Sequence, residues 1–336
     1  SARDLTSRRE GDICNFLKLV RLRHSRGSTE TMIVDCFTHV WDSPAQVGLD
    51  SSASRSRLRF ALFADQKEEV PTATPRQHFE ACAPVDRALV LGFKSHYLGA
   101  EVSNDMVAAY VREHPEKLIG FAGIDPTRPK EAVAELRRAR DELDMRGIVI
   151  APAAQDFHPA HSTAHRLYEV AAELELPVLF HPGLDFGAQT KLEYAQPTLL
   201  DEVAREHPTL KIIIAHMGYP WVQETLVMLG KHPLVYSDIS WLLHQPWQAY
   251  LALSSAYQYG VIDKLLFGSG FPFTSAAHTM EALYSINHMC HGTHLPTIPR
   301  EQLRGIVERN TLELLSIRTN HETHPRLSHR ALPEDD

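Results

Sequence analysis

The chain has 336 residues, and its 43% of hydrophobic and 23% of charged residues are the balance of a globular protein with one large or two smaller domains and a sizeable core. A net charge of −8 argues against nucleic acid or an anionic membrane as the main partner, and no apolar run approaches the roughly 18 residues that a membrane span needs. Four cysteines without a CxxC pair exclude a disulfide framework and indicate a reducing, cytoplasmic setting.

Residues 1–31 differ in character from the rest of the chain. Basic side chains are scattered through this segment, and its one apolar patch, Ile13–Leu22, is interrupted by Lys18 and Arg21. Such a patch is a poor signal-peptide core. The pattern predicts a short helix or a disordered extension, and the abrupt start of a strand pattern at Met32 suggests the hypothesis that Met32 is the biological start.

From Met32 onward, short apolar runs alternate with amphipathic stretches. The predicted strands are Met32–Phe37, Arg87–Gly92, Leu118–Gly123, Gly147–Ala151, Pro177–His181, Lys211–His216, Val235–Asp238 and Lys264–Gly268. The predicted helices are Asn104–His114, Pro129–Glu142, Ser162–Leu174, Thr198–His207, Tyr219–Gly230, Trp247–Gly260 and, last, Glu301–Ile317. Near-continuous apolar strands are typical of a parallel sheet that is buried on both faces.

Eight strands that alternate with helices predict a (β/α)8 TIM barrel over residues 32–318. A doubly wound open sheet gives the same local rhythm, and periodicity alone does not separate the two. Residues 50–75 are rich in serine, arginine and acidic side chains, which predicts an inserted loop after the first strand. The polar residues 319–336 are expected to form a frayed tail.

Three histidines follow the ends of three predicted strands. His39 comes after the first strand, His181 ends the fifth and His216 ends the sixth. In a parallel barrel these positions share one rim, where active sites gather. Imidazole is a common zinc ligand and also a general base near neutral pH, so the three residues predict a metal or acid–base site.

Several stretches in order resemble the amidohydrolase-related family, in the branch that includes aminocarboxymuconate semialdehyde decarboxylase. They are Ile33–His39, Ile119–Pro126, Pro177–His181, Ile214–Gly218, Leu266–Pro272 and Asn310–Leu315. The resemblance covers residues from about Met32 to Leu315. It implies a metal-dependent hydrolase barrel that binds zinc or another divalent metal and acts on a small-molecule substrate, and it implies a homodimer.

In the family's pattern the metal is held by an His-x-His pair on the first strand, a histidine on the fifth and an aspartate on the eighth, while a histidine after the sixth handles protons. Carried over, the resemblance makes His39 and His181 metal ligands and His216 the catalytic base. Two positions depart from the pattern. Phe37 stands where the first histidine is expected and Gly270 where the aspartate is expected, so retention and loss of the metal are both open alternatives.

Other carboxylates are candidate substitutes for the missing aspartate. Strand alternation predicts that Asp35 shares a face with Phe37 and His39, and that Cys36 faces the helices instead. Asp238 ends the seventh strand, and the remaining candidates are Asp156 and Asp185, which follow the fourth and fifth strands. Each of these is more often a cap, a turn residue or a surface residue.

The sequence supports three functional hypotheses. The first is a hydrolase that acts on a small carboxylated, amide or lactone substrate through a metal-activated water. The second joins two alternatives to the first: a decarboxylase of a small unsaturated acid, or a catalytically impaired barrel that binds a small molecule or a partner. The third is an altered copy of an active enzyme, since aspartate to glycine needs one base change.

Overall fold

The computed structural model describes residues 31–49, 71–182 and 189–318. Almost all of the extension predicted for residues 1–31, most of the loop predicted for residues 50–75, and the tail 319–336 lie outside the described residues. Where the chain resumes, Ala73 forms an antiparallel bridge with Trp41. Ala73 therefore lies beside the residues that follow the first strand.

Ten strands occur in the described residues: β1 Val34–His39, β2 Arg87–Leu91, β3 Phe93–Ser95, β4 Ala100–Val102, β5 Leu118–Gly123, β6 Ile148–Ile150, β7 Val178–Phe180, β8 Ile212–Ile214, β9 Val235–Asp238 and β10 Leu265–Leu266. Eight of them form one parallel sheet in the order β1-β2-β5-β6-β7-β8-β9-β10, and β3 pairs only with β4. The ends of the sheet meet, because Cys36 N–H donates to Phe267 O at 2.9 Å and Gly270 N–H donates to Phe37 O at 3.0 Å. The sheet is a closed barrel, so the predicted TIM barrel is confirmed.

Apolar side chains alternate between the two faces of the barrel wall. Ala88 and Val90 face the outer helices, whereas Leu89 and Leu91 belong to a separate interior cluster. The interior cluster consists of Val34, Cys36, Phe37, Leu89, Leu91, Ile119, Phe121, Val149, Leu179, Ile213, Ala215, Tyr236, Leu266, Leu312, Leu315 and Ile317. Burial on both faces explains why these strands read as continuous apolar runs.

The first strand carries a bulge that the sequence did not reveal. Asp35 pairs with Ala88, but Thr38 pairs with Val90, so two residues of β1 stand opposite one residue of β2. The extra residue breaks the alternation of faces. Two predictions about this strand are therefore wrong: Asp35 and His39 lie on opposite faces, and Cys36 lies in the interior cluster with Phe37.

Helices cover the outside of the barrel: α1 Pro75–Ala81, α2 Asn104–Glu113, α3 Pro129–Asp141, α4 Pro152–Gln155, α5 Ser162–Glu173, α6 Leu200–Glu206, α7 Val222–Lys231, α8 Pro246–Gln258, α9 Ala276–Ser285, α10 Arg300–Glu308 and α11 Thr311–Leu314. The first six predicted helices are present as α2, α3 and α5 to α8, with small differences at their ends. The seventh, Glu301–Ile317, is instead two helices. Asn310 separates them, and its side chain accepts the Glu313 N–H to cap α11.

Helix α1 is held to β1 by a buried chain of polar groups. The Thr38 hydroxyl donates to Leu89 O at 2.5 Å, so its oxygen accepts from Nε2–H of His78 at 2.8 Å. Nδ1 of the same ring lies 2.8 Å from the Tyr110 hydroxyl. Burial lowers the pKa of His78 to about 3, so the ring is neutral at physiological pH. The Cys82 thiol also contacts the ring, with Sγ 3.3 Å from Nε2.

A buried carboxylate connects the first strand to the residues that follow the last strand, at the seam where the barrel closes. Ser269 N–H donates to Asp35 Oδ1 at 2.8 Å, and Phe37 N–H donates to the same oxygen at 3.3 Å. Burial raises the pKa of the Asp35 carboxyl to about 6. This residue is therefore a structural part of the barrel seam, not a substitute for the missing aspartate at the rim.

Three of the four cysteines fall in the described ranges. Cys36, Cys82 and Cys290 are free thiols, and all three are buried. Cys14 lies outside these ranges. Within the part of the chain that the structure covers, no helix combines the length and the apolar character that crossing a membrane requires.

We predict that Asp35→Ala lowers the free energy of unfolding by about 1–3 kcal/mol, because two buried backbone N–H groups at the seam lose their acceptor. Asp35→Asn keeps an acceptor oxygen and should cost clearly less. Urea unfolding of both variants tests this. An alanine variant as stable as the asparagine variant would show that the seam does not depend on this acceptor.

Candidate active site

The three predicted histidines converge at the carboxyl rim of the barrel. His39 ends β1, His181 follows β7, and His216 lies in a 3-10 turn directly after β8. The ring centroids of His39 and His181 are 6.0 Å apart, and those of His181 and His216 are 5.1 Å apart. All three side chains are buried. The structure thus brings together the residues that the sequence singled out, while their roles as ligands and base stay predictions.

The phenyl ring of Phe37 packs against all three imidazoles. Its centroid is 5.1 Å from the ring of His39, 5.2 Å from that of His181 and 4.4 Å from that of His216. The side chain is fully buried. Phe37 therefore places an apolar ring, without a donor atom, at one of the ligand positions that the resemblance implies.

Hydrogen bonds fix the tautomers of two of the histidines. His39 Nδ1 lies 3.1 Å from Leu91 O, and a carbonyl can only accept, so in the neutral ring Nδ1 carries the proton and Nε2 the lone pair. His216 Nδ1 lies 2.7 Å from Ser240 Oγ. The Nε2 atoms of His39 and His216 are buried and have no hydrogen-bond partner among the described residues.

Ser240 links His216 to a buried carboxylate. The Ser240 hydroxyl and its N–H both donate to Asp238 Oδ1, the N–H at 2.9 Å, so the hydroxyl oxygen accepts from His216 Nδ1–H. The His216 N–H also donates to Asp238 Oδ1, at 3.3 Å. The resulting series Asp238–Ser240–His216 is an arrangement through which a proton can pass between the carboxyl and the imidazole.

Burial favours the neutral forms of the acid–base groups of the site. It lowers the pKa of His39 to about 4 and that of His216 to about 3, and it holds the pKa of His181 well below its usual value. In the opposite direction, it raises the pKa of the Asp238 carboxyl to about 7. Near neutral pH the imidazoles are uncharged, and the Asp238 carboxyl is close to half-protonated.

The backbone at His216 is unusual for a residue with a side chain. His216 and Met217 have φ values of 58° and 50°, in the left-handed region. Such conformations cost free energy and cluster at functional sites. Here the left-handed turn directs the imidazole back across the rim toward Ser240.

An indole ring occupies the space beside Gly270. A Cβ atom built at Gly270 would lie 2.4 Å from Cδ1 and 2.9 Å from Nε1 of Trp241, distances that real side chains do not show. The Trp241 ring stacks on His216 with centroids 4.8 Å apart and planes 18° apart. An aspartate at position 270 would therefore need Trp241 to move.

The residues present do not fit a divalent ion at the centre of the rim. Two of the four ligand positions that the resemblance implies lack donor atoms, since one is Phe37 and the other is Gly270. The Nε2 atoms of His39 and His216 keep their lone pairs, but Phe37 adds an apolar ring where the pattern has a donor. The remaining imidazoles are neutral and bring an ion no negative charge.

Of the other carboxylates proposed from the sequence, only Asp238 contacts the site. Asp156 forms an ion pair with Lys191 at 2.6 Å, and Asp185 lies outside the described residues. Sequence reasoning missed Ser240, and it did not place Trp241 on Gly270 or His216. The spacing of Asp238 and Ser240 just after a strand was an available signal for the hydrogen-bonded series, whereas the position of the indole was not readable from spacing.

Two tryptophans and a phenylalanine form an aromatic wall above the histidines. The Phe273 ring lies 6.1 Å from the ring of Trp41 and 5.1 Å from that of Trp241. Trp41 in turn lies 6.3 Å from His39. The indole N–H groups of both tryptophans are buried and have no acceptor among the described residues. A buried donor without an acceptor is costly, so each of these groups is available to an acceptor that is not part of the described chain.

A small cleft opens beside His181. Its volume of about 20 Å³ has room for roughly one water molecule. Phe180, Tyr194 and Gln196 are among the residues that line it.

Comparison with known proteins gives a consistent family. A family model described as Amidohydrolase matches residues 34–317. Gamma-resorcylate decarboxylase of Rhodococcus jostii (strain RHA1) is 24% identical over 147 residues, an alignment that covers 35% of this chain and 45% of that protein. The match thus spans less than half of that relative's length.

Two solved structures share the fold. An uncharacterized TIM-barrel protein from Bordetella bronchiseptica is 22% identical, with a TM-score of 0.64 over 84% of this chain and 98% of that one. The 5-carboxyvanillate decarboxylase of Novosphingobium aromaticivorans DSM 12444, in complex with manganese and 4-hydroxy-3-methoxy-5-nitrobenzoic acid, is 15% identical, with a TM-score of 0.60 over 85% of this chain and 96% of that one. At these identities the likeness concerns the fold.

We predict that Asp238→Asn flattens the dependence of stability on pH. Because the folded carboxyl has a pKa of about 7, the native state keeps a proton that the unfolded chain has lost, so stability falls as the pH rises from about 4 to about 7. Asparagine cannot ionise, and its variant should lose less free energy of unfolding between pH 5 and pH 8. Urea unfolding at both values measures this, with exposed Asp263→Asn as the control. Equal losses in wild type and Asp238→Asn would contradict the assignment.

Proposed function

This chain belongs to the amidohydrolase family, and we propose that it binds a small aromatic carboxylic acid at the rim of its barrel without the help of a metal ion. The observation that carries the proposal is the pair of buried indole N–H groups, on Trp41 and Trp241, that have no acceptor among the described residues. A carboxylate is an acceptor that can pair with both donors.

The class of ligand follows from the relatives and from the aromatic wall. Both compared relatives that have a named activity are decarboxylases of aromatic acids, so the hydrolase that we expected first is less well supported than the decarboxylase alternative. Trp41, Trp241 and Phe273 offer ring faces and edges for an aromatic ligand. The same side chains thus supply apolar contact together with two hydrogen-bond donors.

The metal-dependent reaction of such relatives is not expected here. A bound metal stabilises developing charge and generates a nucleophilic hydroxide, and this requires an ion in contact with ligand atoms. In this chain Phe37 offers no donor atom to an ion, and Trp241 covers Gly270. We therefore infer a barrel that keeps the recognition of a small acid and lacks the metal-assisted step.

A second function, acid–base catalysis without a metal, is favoured by the series Asp238–Ser240–His216. With a pKa of about 7, the Asp238 carboxyl can supply or receive a proton near neutral pH, and His216 can relay it to a ligand. This function needs His216 Nε2, which is buried against neighbouring side chains, to reach the ligand. It therefore requires a movement of Phe37 or Trp241.

We predict that Trp41→Phe and Trp241→Phe each weaken the binding of 2,6-dihydroxybenzoate by about tenfold or more. Each change keeps an aromatic ring and removes one N–H donor, and a hydrogen bond to a charged group contributes about 1.5–3 kcal/mol. Isothermal titration measures the affinities. Trp247→Phe is the matched control, because that ring is 48% exposed and lies on α8.

The same samples test for turnover through the release of CO₂. Wild type should bind the acid and release no CO₂ above background, with or without added Mn²⁺. Unchanged affinity in both indole variants would refute the binding proposal. Release of CO₂ that depends on Mn²⁺ would refute the absence of a metal step, and metal-independent release that His216→Ala abolishes would favour the second function.

We predict that metal binding at the rim returns only when three residues change together. The double variant Phe37→His, Gly270→Asp restores both ligands, but its new aspartate meets the Trp241 indole. Adding Trp241→Ala removes that obstacle. Metal analysis after dialysis against Mn²⁺ should show one more ion per chain in the triple variant than in wild type or the double variant.

The control for this experiment is His181→Ala placed in each background. It should remove the additional ion from the triple variant and leave the metal content of wild type unchanged. Loss of an ion from wild type on His181→Ala would mean that the rim already holds a metal despite Phe37. Equal metal content in the double and triple variants would mean that Trp241 is no obstacle.

A further inference from the structure

A second group of possible metal ligands lies on the outside of the barrel. His165 belongs to the first half of α5, Glu206 is the last residue of α6, and His207 follows it. One ligand atom from each residue lies within 4.8 Å of the other two. The group packs against Tyr168 of the helix-facing core, whereas Phe37 belongs to the interior cluster.

The hydrogen bonds of His165 leave a lone pair directed at the other two residues. His165 Nε2 lies 3.2 Å from Ala160 O, which can only accept, so the neutral ring carries its proton on Nε2. The unprotonated Nδ1 then lies 3.0 Å from His207 Nε2 and 3.1 Å from Glu206 Oε2. Without a cation, Nδ1 accepts from His207 Nε2–H and faces the Glu206 carboxylate. A bound cation would replace that proton and attract all three groups.

Neighbouring groups hold both imidazoles in place. The rings of His165 and His207 stack with centroids 5.2 Å apart, and the Tyr168 ring packs edge-on against each of them, at 5.9 Å and 5.8 Å. Tyr168 is itself fixed, since its buried hydroxyl donates to Pro159 O at 2.8 Å. Histidine ligands in metal sites are typically oriented in this way, with the second ring nitrogen bonded to a backbone carbonyl.

The group is also accessible and its charge suits a cation. The side chain of His165 is 19% exposed and that of Glu206 is 49% exposed, so an ion can enter from solvent and keep water ligands. Burial and the neighbouring His165 lower the pKa of His207, which favours the neutral imidazole that binds metal. Glu206 supplies a negative charge that the histidine-rich rim of the barrel lacks.

We propose that His165, Glu206 and His207 form a site for a divalent transition-metal ion of the zinc class, separate from the rim of the barrel. Two imidazole nitrogens and one carboxylate suit Zn²⁺, Ni²⁺ or Cu²⁺, whereas Mg²⁺ and Ca²⁺ prefer oxygen ligands alone. Three protein ligands leave a coordination position for water. The ion would join α5 to the end of α6, the helices that precede β7 and β8.

The test uses the full chain after removal of metal with a chelator. Zn²⁺ is titrated by calorimetry into wild type, Glu206→Gln, His207→Gln and a control, His291→Gln, whose exposed imidazole lies 5.3 Å from that of His288. Wild type and the control should bind one Zn²⁺ with equal affinity. The two site variants should bind at least about tenfold more weakly, since even the loss of an outer hydrogen-bond partner of a ligand costs about 10–100-fold.

Thermal unfolding separates a metal site from a purely structural cluster. Zn²⁺ should raise the melting temperature of wild type and His291→Gln, and it should raise that of Glu206→Gln and His207→Gln much less, by mass action. If all four proteins bind Zn²⁺ equally, or if none binds it, the proposal fails and the cluster is only a hydrogen-bonded His–Glu pair. Mg²⁺ in place of Zn²⁺ should give no shift, and an equal shift with Mg²⁺ would contradict the ligand class.

Discussion

The phenyl ring of Phe37 packs against His39, His181 and His216, and it places an apolar ring where the family's pattern has a metal ligand. Its centroid lies 4.4–5.2 Å from each imidazole. Gly268 permits the close approach, because a Cβ atom there would lie 3.1 Å from Cβ of Phe37 and 3.2 Å from Oδ1 of Asp238. Beside it, Trp241 covers Gly270 and stacks on His216. At this rim, packing among aromatic side chains stands where the family's pattern has attraction between an ion and its ligands.

The parts of the fold that depend on periodicity were predictable from the sequence. Burial on both faces makes strands such as Ile212–Ile214 apolar throughout, and the closed barrel then places the three histidines on one rim. The bulge in β1 was not predictable, because one extra residue between Asp35 and Thr38 leaves no mark in composition. The contact of Trp241 with Gly270 was hidden for a different reason, since it depends on a left-handed backbone at Trp241, with a φ of 67°.

The hydrogen bonds that orient the histidines of the site are present although the set of metal ligands is incomplete. Leu91 O still fixes the tautomer of His39, and Ser240 still fixes that of His216, so both Nε2 lone pairs point inward as metal ligation would require. Asp238 remains bonded to Ser240 and to the backbone of His216. What differs from the family's pattern is the number of donor atoms, because Phe37 and Gly270 supply none. This combination fits a family member that recognises a small acid through Trp41 and Trp241 and lacks the metal-assisted step.

The most direct test of this account is a crystal structure of the wild-type chain. The crystals are grown with Mn²⁺, and the diffraction data are recorded at the manganese absorption edge. The account predicts density for the Phe37 ring in contact with the three imidazoles and no anomalous peak among them. An anomalous peak at about 2.0–2.2 Å from the nitrogens of His39 and His181, a normal metal–imidazole distance, would contradict it.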